Sequence, residues 1–171
     1  LSKQMRALDY GAGTGQLSTL LCTRLQSVLA VDTSEGMLDQ LKNKADQNNK
    51  ITPLKHDLSV SDLPGRKFNL IYSAMTMHHI EDVSLVLKRF YNMLEPDGYI
   101  ALADLVKEDG SFHNSMGHIP HTGFEPEELA GKLRETGFAS IAYKQIYIVK
   151  KEIDDTQKEF PVFLITAQKY Q

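Results

Sequence analysis

A chain of 171 residues, 42% hydrophobic and 24% charged, can bury one good core but is too short for two comfortable domains, so a single domain over 1–171 is expected. A formal charge of −3, with no lysine or arginine run longer than two residues, argues against electrostatic capture of nucleic acid, and no apolar stretch nears membrane-spanning length. The lone cysteine, Cys22, excludes an intramolecular disulfide and fits a reducing compartment; with no signal peptide ahead of the first strand, a soluble, cytoplasmic protein is the expectation.

The first predicted element is a short buried strand closing on Ala7 and Leu8. Gly11, Gly13 and Gly15 then turn the chain into a helix that starts within 14–17. Glycine reaches φ > 0 and carries no side chain, so such a turn lets backbone approach a ligand closely. A dinucleotide turn, G-x-G-x-x-G, would need its third small residue at position 16, which is Gln16. What stands here is D-x-G-x-G-x-G, from Asp9 to Gly15. In this it resembles the class I S-adenosylmethionine-dependent methyltransferases, whose first motif has that form. The resemblance implies a cradle for S-adenosyl-L-methionine, with the three glycines against its methionyl and ribose parts and Asp9 near the methionyl amino group. It also implies helices ahead of the first strand. Only residues 1–5 precede it here, so the N-terminal helical cap is expected to be missing or very short.

Leu17, Leu20, Leu21 and Leu25 recur at helical spacing and predict the inner face of that first helix, which also contains Cys22. A second strand over 27–31 ends at Asp32, followed by Thr33. Asp32 lies 17 residues beyond Gly15, near the distance at which βαβ nucleotide folds set a carboxylate on ribose hydroxyls; the other reading is a cap for the next helix. Ser34 is a second capping candidate, and Leu38, Leu41 and Ala45 form the inner face of that helix. Met37 suits either an adenine wall or the core. Strand three covers 51–55. In the resembled family an acid just past it accepts from the adenine amino group, and the next backbone N–H reaches a ring nitrogen. Asp57 and Leu58 occupy those places; Asp57 also reads as a turn residue.

Strand four covers 68–73, and SAMTM (73–77) follows it. Ligands in open α/β sheets bind at the carboxyl ends of the strands, which sets Ser73 to Met77 beside the cofactor's methionine end and makes the neighbourhood of His78 and His79 the expected place of reaction. Histidine can serve as a base near neutral pH, and a structural histidine before a helix is the other reading. Ile80, Val83, Leu87, Phe90 and Leu94 predict the strongest helix, with Glu81 and Asp82 in its first turn and EPDG (95–98) as its stop. Strand five follows over 99–105. Over 6–105 the pattern resembles small-molecule methyltransferases, in the ubiquinone/menaquinone-methyltransferase-like branch. The absence of an Asn/Asp-Pro-Pro-Tyr motif after strand four lowers the weight of exocyclic base nitrogens and glutamine as acceptors.

Residues 106–124 read as a long polar connection holding His113, His118 and His121, which with His78 and His79 could converge above the sheet. Such loops are often lids. His113 joins His78 as a candidate base. The histidine spacing fits no compact zinc pattern, so no metal is expected. Phe124, Pro126 and Gly137 delimit a further helix, by a staple onto Leu129, a first-position proline and a glycine stop. Strands over 138–149 and 160–168, joined by the charged turn KEIDDTQKE, make an antiparallel pair that leaves Tyr143 and Tyr147 in the core or on an edge. The resemblance implies an α/β, Rossmann-like, doubly wound seven-stranded sheet of order 3-2-1-4-5-7-6 with strand seven antiparallel. The expected activity is methyl transfer to a small-molecule acceptor at O, C, S or N, with S-adenosyl-L-homocysteine as the other product. The alternatives are a non-catalytic cofactor-binding module and a methyltransferase acting on RNA or protein.

Overall fold

The computed structural model describes residues 1–45, 49–113 and 119–170. Four parallel strands, β1 (Arg6–Tyr10), β2 (Ser27–Asp32), β3 (Ile51–Lys55) and β4 (Phe68–Ala74), are joined by β5 (Leu94–Leu105) and by the antiparallel pair β6 (Ala139–Ile153) and β7 (Thr156–Gln168). The order is β3-β2-β1-β4-β5-β7-β6, with β7 antiparallel to β5 as expected. The winding reverses between β1 and β4, and that reversal opens a crevice at the carboxyl ends of these strands.

Side chains alternate across a strand, so neighbouring residues feed separate cores. Leu8, Leu29 and Ile71 pack with α3 (Val83–Met93) and α4 (Pro126–Thr136), while Ala7, Val28 and Leu70 pack with α2 (Glu35–Ala45). Leu38, Leu41 and Ala45 are the buried face of α2, in agreement with their spacing.

Four expectations need correction. The first helix, α1 (Gln16–Leu21), is short and passes into a 3-10 turn at Cys22–Arg24. Leu17 and Leu20 are 37% and 68% exposed; Leu25 is buried as expected, and Ser18 and Cys22 are buried in place of the two exposed leucines. The period was read correctly and the phase wrongly: Gly15, at φ 75, delays the helix to Gln16, and Ser18 turns inward because its hydroxyl donates to buried Asp9. Second, Ile80 closes the 3-10 turn at Met77–His79 and so precedes α3, and Asp82 caps the helix by accepting from the Leu85 N–H at 2.9 Å. Third, Leu94 opens β5 rather than closing α3. Fourth, the nine-residue charged turn contracts to Asp154 and Asp155. Both have positive φ, 49° and 58°, as a two-residue type I′ hairpin requires, and the flanking charges join the β6–β7 ladder.

The described parts of the connection after β5 are folded rather than loose. Val106 bridges Phe124, Ser111–His113 forms a 3-10 turn, and Phe112 packs edge-on against Phe160 at 5.1 Å. This anchorage carries His113 back over the end of β5. His118 lies outside the described residues. No described helix is long and apolar enough to cross a membrane.

Candidate functional site

A cavity of about 470 Å³ sits over the carboxyl ends of the central strands, and Gly11, Gly13, Asp32, Thr33, Met37 and Asp57 all line it. The three glycines of the turn have different reasons to be glycine. A Cβ on Gly11 would stand 2.2 Å from Thr76 Oγ1, and one on Gly15 would stand 2.1 Å from Leu41 Cδ1, so both permit close packing. A Cβ on Gly13 would meet nothing within 4 Å; there the missing side chain leaves open space. Asp32 Oδ2 accepts the Gly13 N–H at 2.7 Å and its Oδ1 accepts the Ser34 N–H at 2.8 Å. One carboxylate thus ties the β1 turn to the β2 turn, and each oxygen keeps a lone pair for a ligand hydroxyl.

Asp9, Gly15, Leu58 and Ser73 stand outside this lining. Asp9 instead borders an adjoining cavity of about 300 Å³, which shares Gly13 and Met75 with the larger one. Burial raises the Asp9 carboxyl to about 6, against the pull of the Ser18 hydroxyl at 2.6 Å. Ser73 donates to the Tyr10 carbonyl at 2.7 Å and so fixes β4 to β1 beneath the crevice. The Leu58 side chain is buried in the core, and its carbonyl accepts from the Arg89 guanidinium. Asp57 Oδ1 accepts both the N–H and the hydroxyl of Ser59, at 2.7 and 2.6 Å, while still facing the cavity.

Sequence reasoning passed over Tyr10, Glu81 and His56, which also line the cavity, as does Met75 from the stretch expected beside the cofactor. Met75, at φ 55, is in the left-handed region, where a branchless turn residue was not signalled by its identity. Glu81 was assigned to a helix start, yet three carboxylates, of Asp32, Asp57 and Glu81, face the cavity, and among the described residues no lysine or arginine does.

At the cavity's edge three imidazoles converge. Their ring centroids lie 4.1 Å (His78–His79), 5.0 Å (His78–His113) and 5.2 Å (His79–His113) apart. His78 Nδ1 donates to the carboxylate of Asp104 at 2.6 Å, and its Nε2 lies 3.1 Å from Nε2 of His113. Burial, and after it the His78 imidazole, lowers both His79 and His113 from the ordinary histidine value. The two candidate bases are therefore adjacent in space, and Asp104 stands behind them.

A family model described as a methyltransferase domain matches residues 7–98. The chain is 27% identical over 153 residues to an uncharacterized methyltransferase of Schizosaccharomyces pombe, covering 80% of this chain and 54% of that one. It is 23% identical over 175 residues to phosphoethanolamine N-methyltransferase 3 of Arabidopsis thaliana, covering 96% and 36%. It thus spans about half or less of these relatives' length. Among solved structures, the YcgJ protein of Bacillus subtilis superposes with a TM-score of 0.82 at 15% identity, over 99% of this chain and 94% of that one. The S-adenosyl-L-methionine complex of Haemonchus contortus phosphoethanolamine N-methyltransferase 2 also gives 0.82, at 17% identity, over 100% and 50%.

Proposed function

We propose that this chain, which belongs to the methyltransferase domain family, is an S-adenosyl-L-methionine-dependent methyltransferase acting on a small-molecule acceptor. The observation that carries the reading is the cavity wall, with carboxylates at Asp32, Asp57 and Glu81 and, among the described residues, no lysine or arginine. Such a wall repels the paired phosphates of a dinucleotide and suits a cationic ligand rich in hydroxyls. Helix α1, at six residues, is also a weak anchor for a pyrophosphate.

The two adjoining cavities match the two ends of the cofactor. Asp32 would accept from the ribose hydroxyls, Asp57 and the Leu58 N–H would hold the adenine edge, and Met37 would flank the ring. Gly11 and Gly13 form the floor, Thr33 and Ser73 support the strand ends, and Gly15 sets the turn. Asp9, in the smaller cavity, faces the methionyl ammonium. S-adenosylmethionine, when bound, supplies a methyl group on a sulfonium whose leaving group is already activated. The protein then has to align, exclude water and take a proton where the acceptor brings one. His79 stands at the cavity's edge, and His113, backed by His78 and Asp104, is in position to receive that proton. Support for a small acceptor comes from the Arabidopsis and Haemonchus relatives, both named for phosphoethanolamine.

Calorimetric titration of the full chain with S-adenosylhomocysteine and with NAD tests the reading. The homocysteine compound is expected to bind and NAD not to. Asp32→Ala should weaken that binding by tenfold or more, about 1.4 kcal/mol, the scale of one lost charge-assisted hydrogen bond. A folded protein that ignores S-adenosylhomocysteine, or an Asp32→Ala variant that binds it unchanged, refutes the proposal.

A further inference from the structure

His78, His79 and His113 each offer a ring nitrogen, and these atoms all lie within 4.8 Å of one another. Two nitrogens bound to one tetrahedral zinc at about 2.0–2.1 Å stand about 3.3 Å apart. The Nε2 atoms of His78 and His113, at 3.1 Å, already have nearly that spacing although the residues are 35 apart in the chain. The third ligand is the adjustable one: His79 is exposed, so a small side-chain rotation closes the wider gap.

Behind the cluster stands what a metal-bound imidazole ordinarily requires. Asp104 is fully buried, and its Oδ1 accepts from His78 Nδ1 at 2.6 Å and from the Leu105 N–H at 2.7 Å, while Oδ2 accepts the His78 N–H at 3.3 Å. A carboxylate held by three donors orients the ring, fixes the proton on Nδ1 and leaves the Nε2 lone pair directed outward. Lys151 is occupied: its Nζ donates to the Phe112 carbonyl at 2.7 Å and lies 3.7 Å from the Phe112 ring centroid.

We propose that His78, His79 and His113 bind a divalent transition-metal ion of the zinc type, with Asp104 as the outer carboxylate and a fourth position open beside the cavity. Three neutral nitrogens select zinc, cobalt, nickel or copper over magnesium and calcium, which take oxygen donors. Three protein ligands with one vacancy is the arrangement of zinc sites that bind a reactant. The ion's use, to hold an acceptor's oxygen or sulfur beside the methyl donor, rests on the methyltransferase reading. Its binding does not.

The chelator-stripped full chain is titrated with Zn²⁺ by calorimetry and with Co²⁺ by absorbance. A single ion per chain is expected, with the intense visible bands of four-coordinate, nitrogen-ligated cobalt. His79→Ala and His113→Ala, both outside the packed core, should each weaken binding at least tenfold, and Asp104→Asn by about 10–100-fold. Circular dichroism checks folding, and S-adenosylhomocysteine affinity is measured on the same samples. Absence of Co²⁺ binding, or binding indifferent to both histidine substitutions, overturns the site. If the unsubstituted chain binds cobalt through these residues and not S-adenosylhomocysteine, the cofactor reading falls and the metal site stands.

Discussion

Gly13 separates binding from folding more cleanly than its neighbours in the turn. An alanine there meets no atom within 4 Å and adopts φ near 54°, so its cost to the fold is the left-handed penalty of about 1–2 kcal/mol. The new methyl group, however, projects into space shared by the two cavities. Gly13→Ala is therefore expected to stay folded by circular dichroism and to lose at least tenfold in S-adenosylhomocysteine affinity by calorimetry. Unchanged affinity would mean that no ligand lies against this bend. Gly13 and Asp32 were legible from the sequence because a local turn and a strand end are encoded within a few residues. The convergence of loop histidines on His78 and His79 was open to the sequence, but its geometry was not: His113 reaches His78 because Phe112 seats on Phe160 and Val106 bridges Phe124, contacts that no spacing announces.

Helix α3 links the core to the site. Phe90 is fully buried and meets Tyr10 edge-on at 5.3 Å, and Tyr10 is both the last residue of β1 and part of the cavity wall. Phe90→Ala should cost about 3–5 kcal/mol in chemical denaturation, the range for emptying a buried aromatic site. It should also weaken S-adenosylhomocysteine, because Tyr10 loses its support. A loss under 1 kcal/mol would show that α3 is not what holds that wall. The amphipathic period gave α2 and α3 their buried faces, and β3 its limits. It failed at α1, where Leu17 and Leu20 face out, because a periodicity carries no phase until Gly15 and the Ser18–Asp9 bond set it. It also failed at Asp154–Asp155, where seven flanking residues read as a polar turn became strand: side chains on an exposed edge need not be apolar, so alternation gave no signal.

Across the whole molecule, the seven-stranded order came from the family resemblance, since single-strand patterns do not dictate how strands neighbour one another. That order brings Asp9 of β1 into the centre of the sheet, where its buried carboxyl rises from 3.8 to about 6. A raised carboxyl contributes stability that is fully present below the unfolded value and lost as pH climbs through the folded one. At neutral pH the ionised Asp9 thus costs the fold about 3 kcal/mol, by the conversion of about 1.4 kcal/mol per pKa unit. A ligand ammonium beside Asp9 reverses the balance, since it favours the charged carboxylate. S-adenosylhomocysteine affinity is accordingly expected to rise between pH 5 and about 7 as Asp9 ionises. Asp9→Asn should flatten that rise and lower the affinity at pH 7 while making the unliganded protein melt higher. Calorimetry across the pH range, with thermal melts of both proteins, measures the two effects together. An Asn variant that melts lower at neutral pH, or that keeps the pH dependence, would show that the methionyl end is held by something other than this carboxylate.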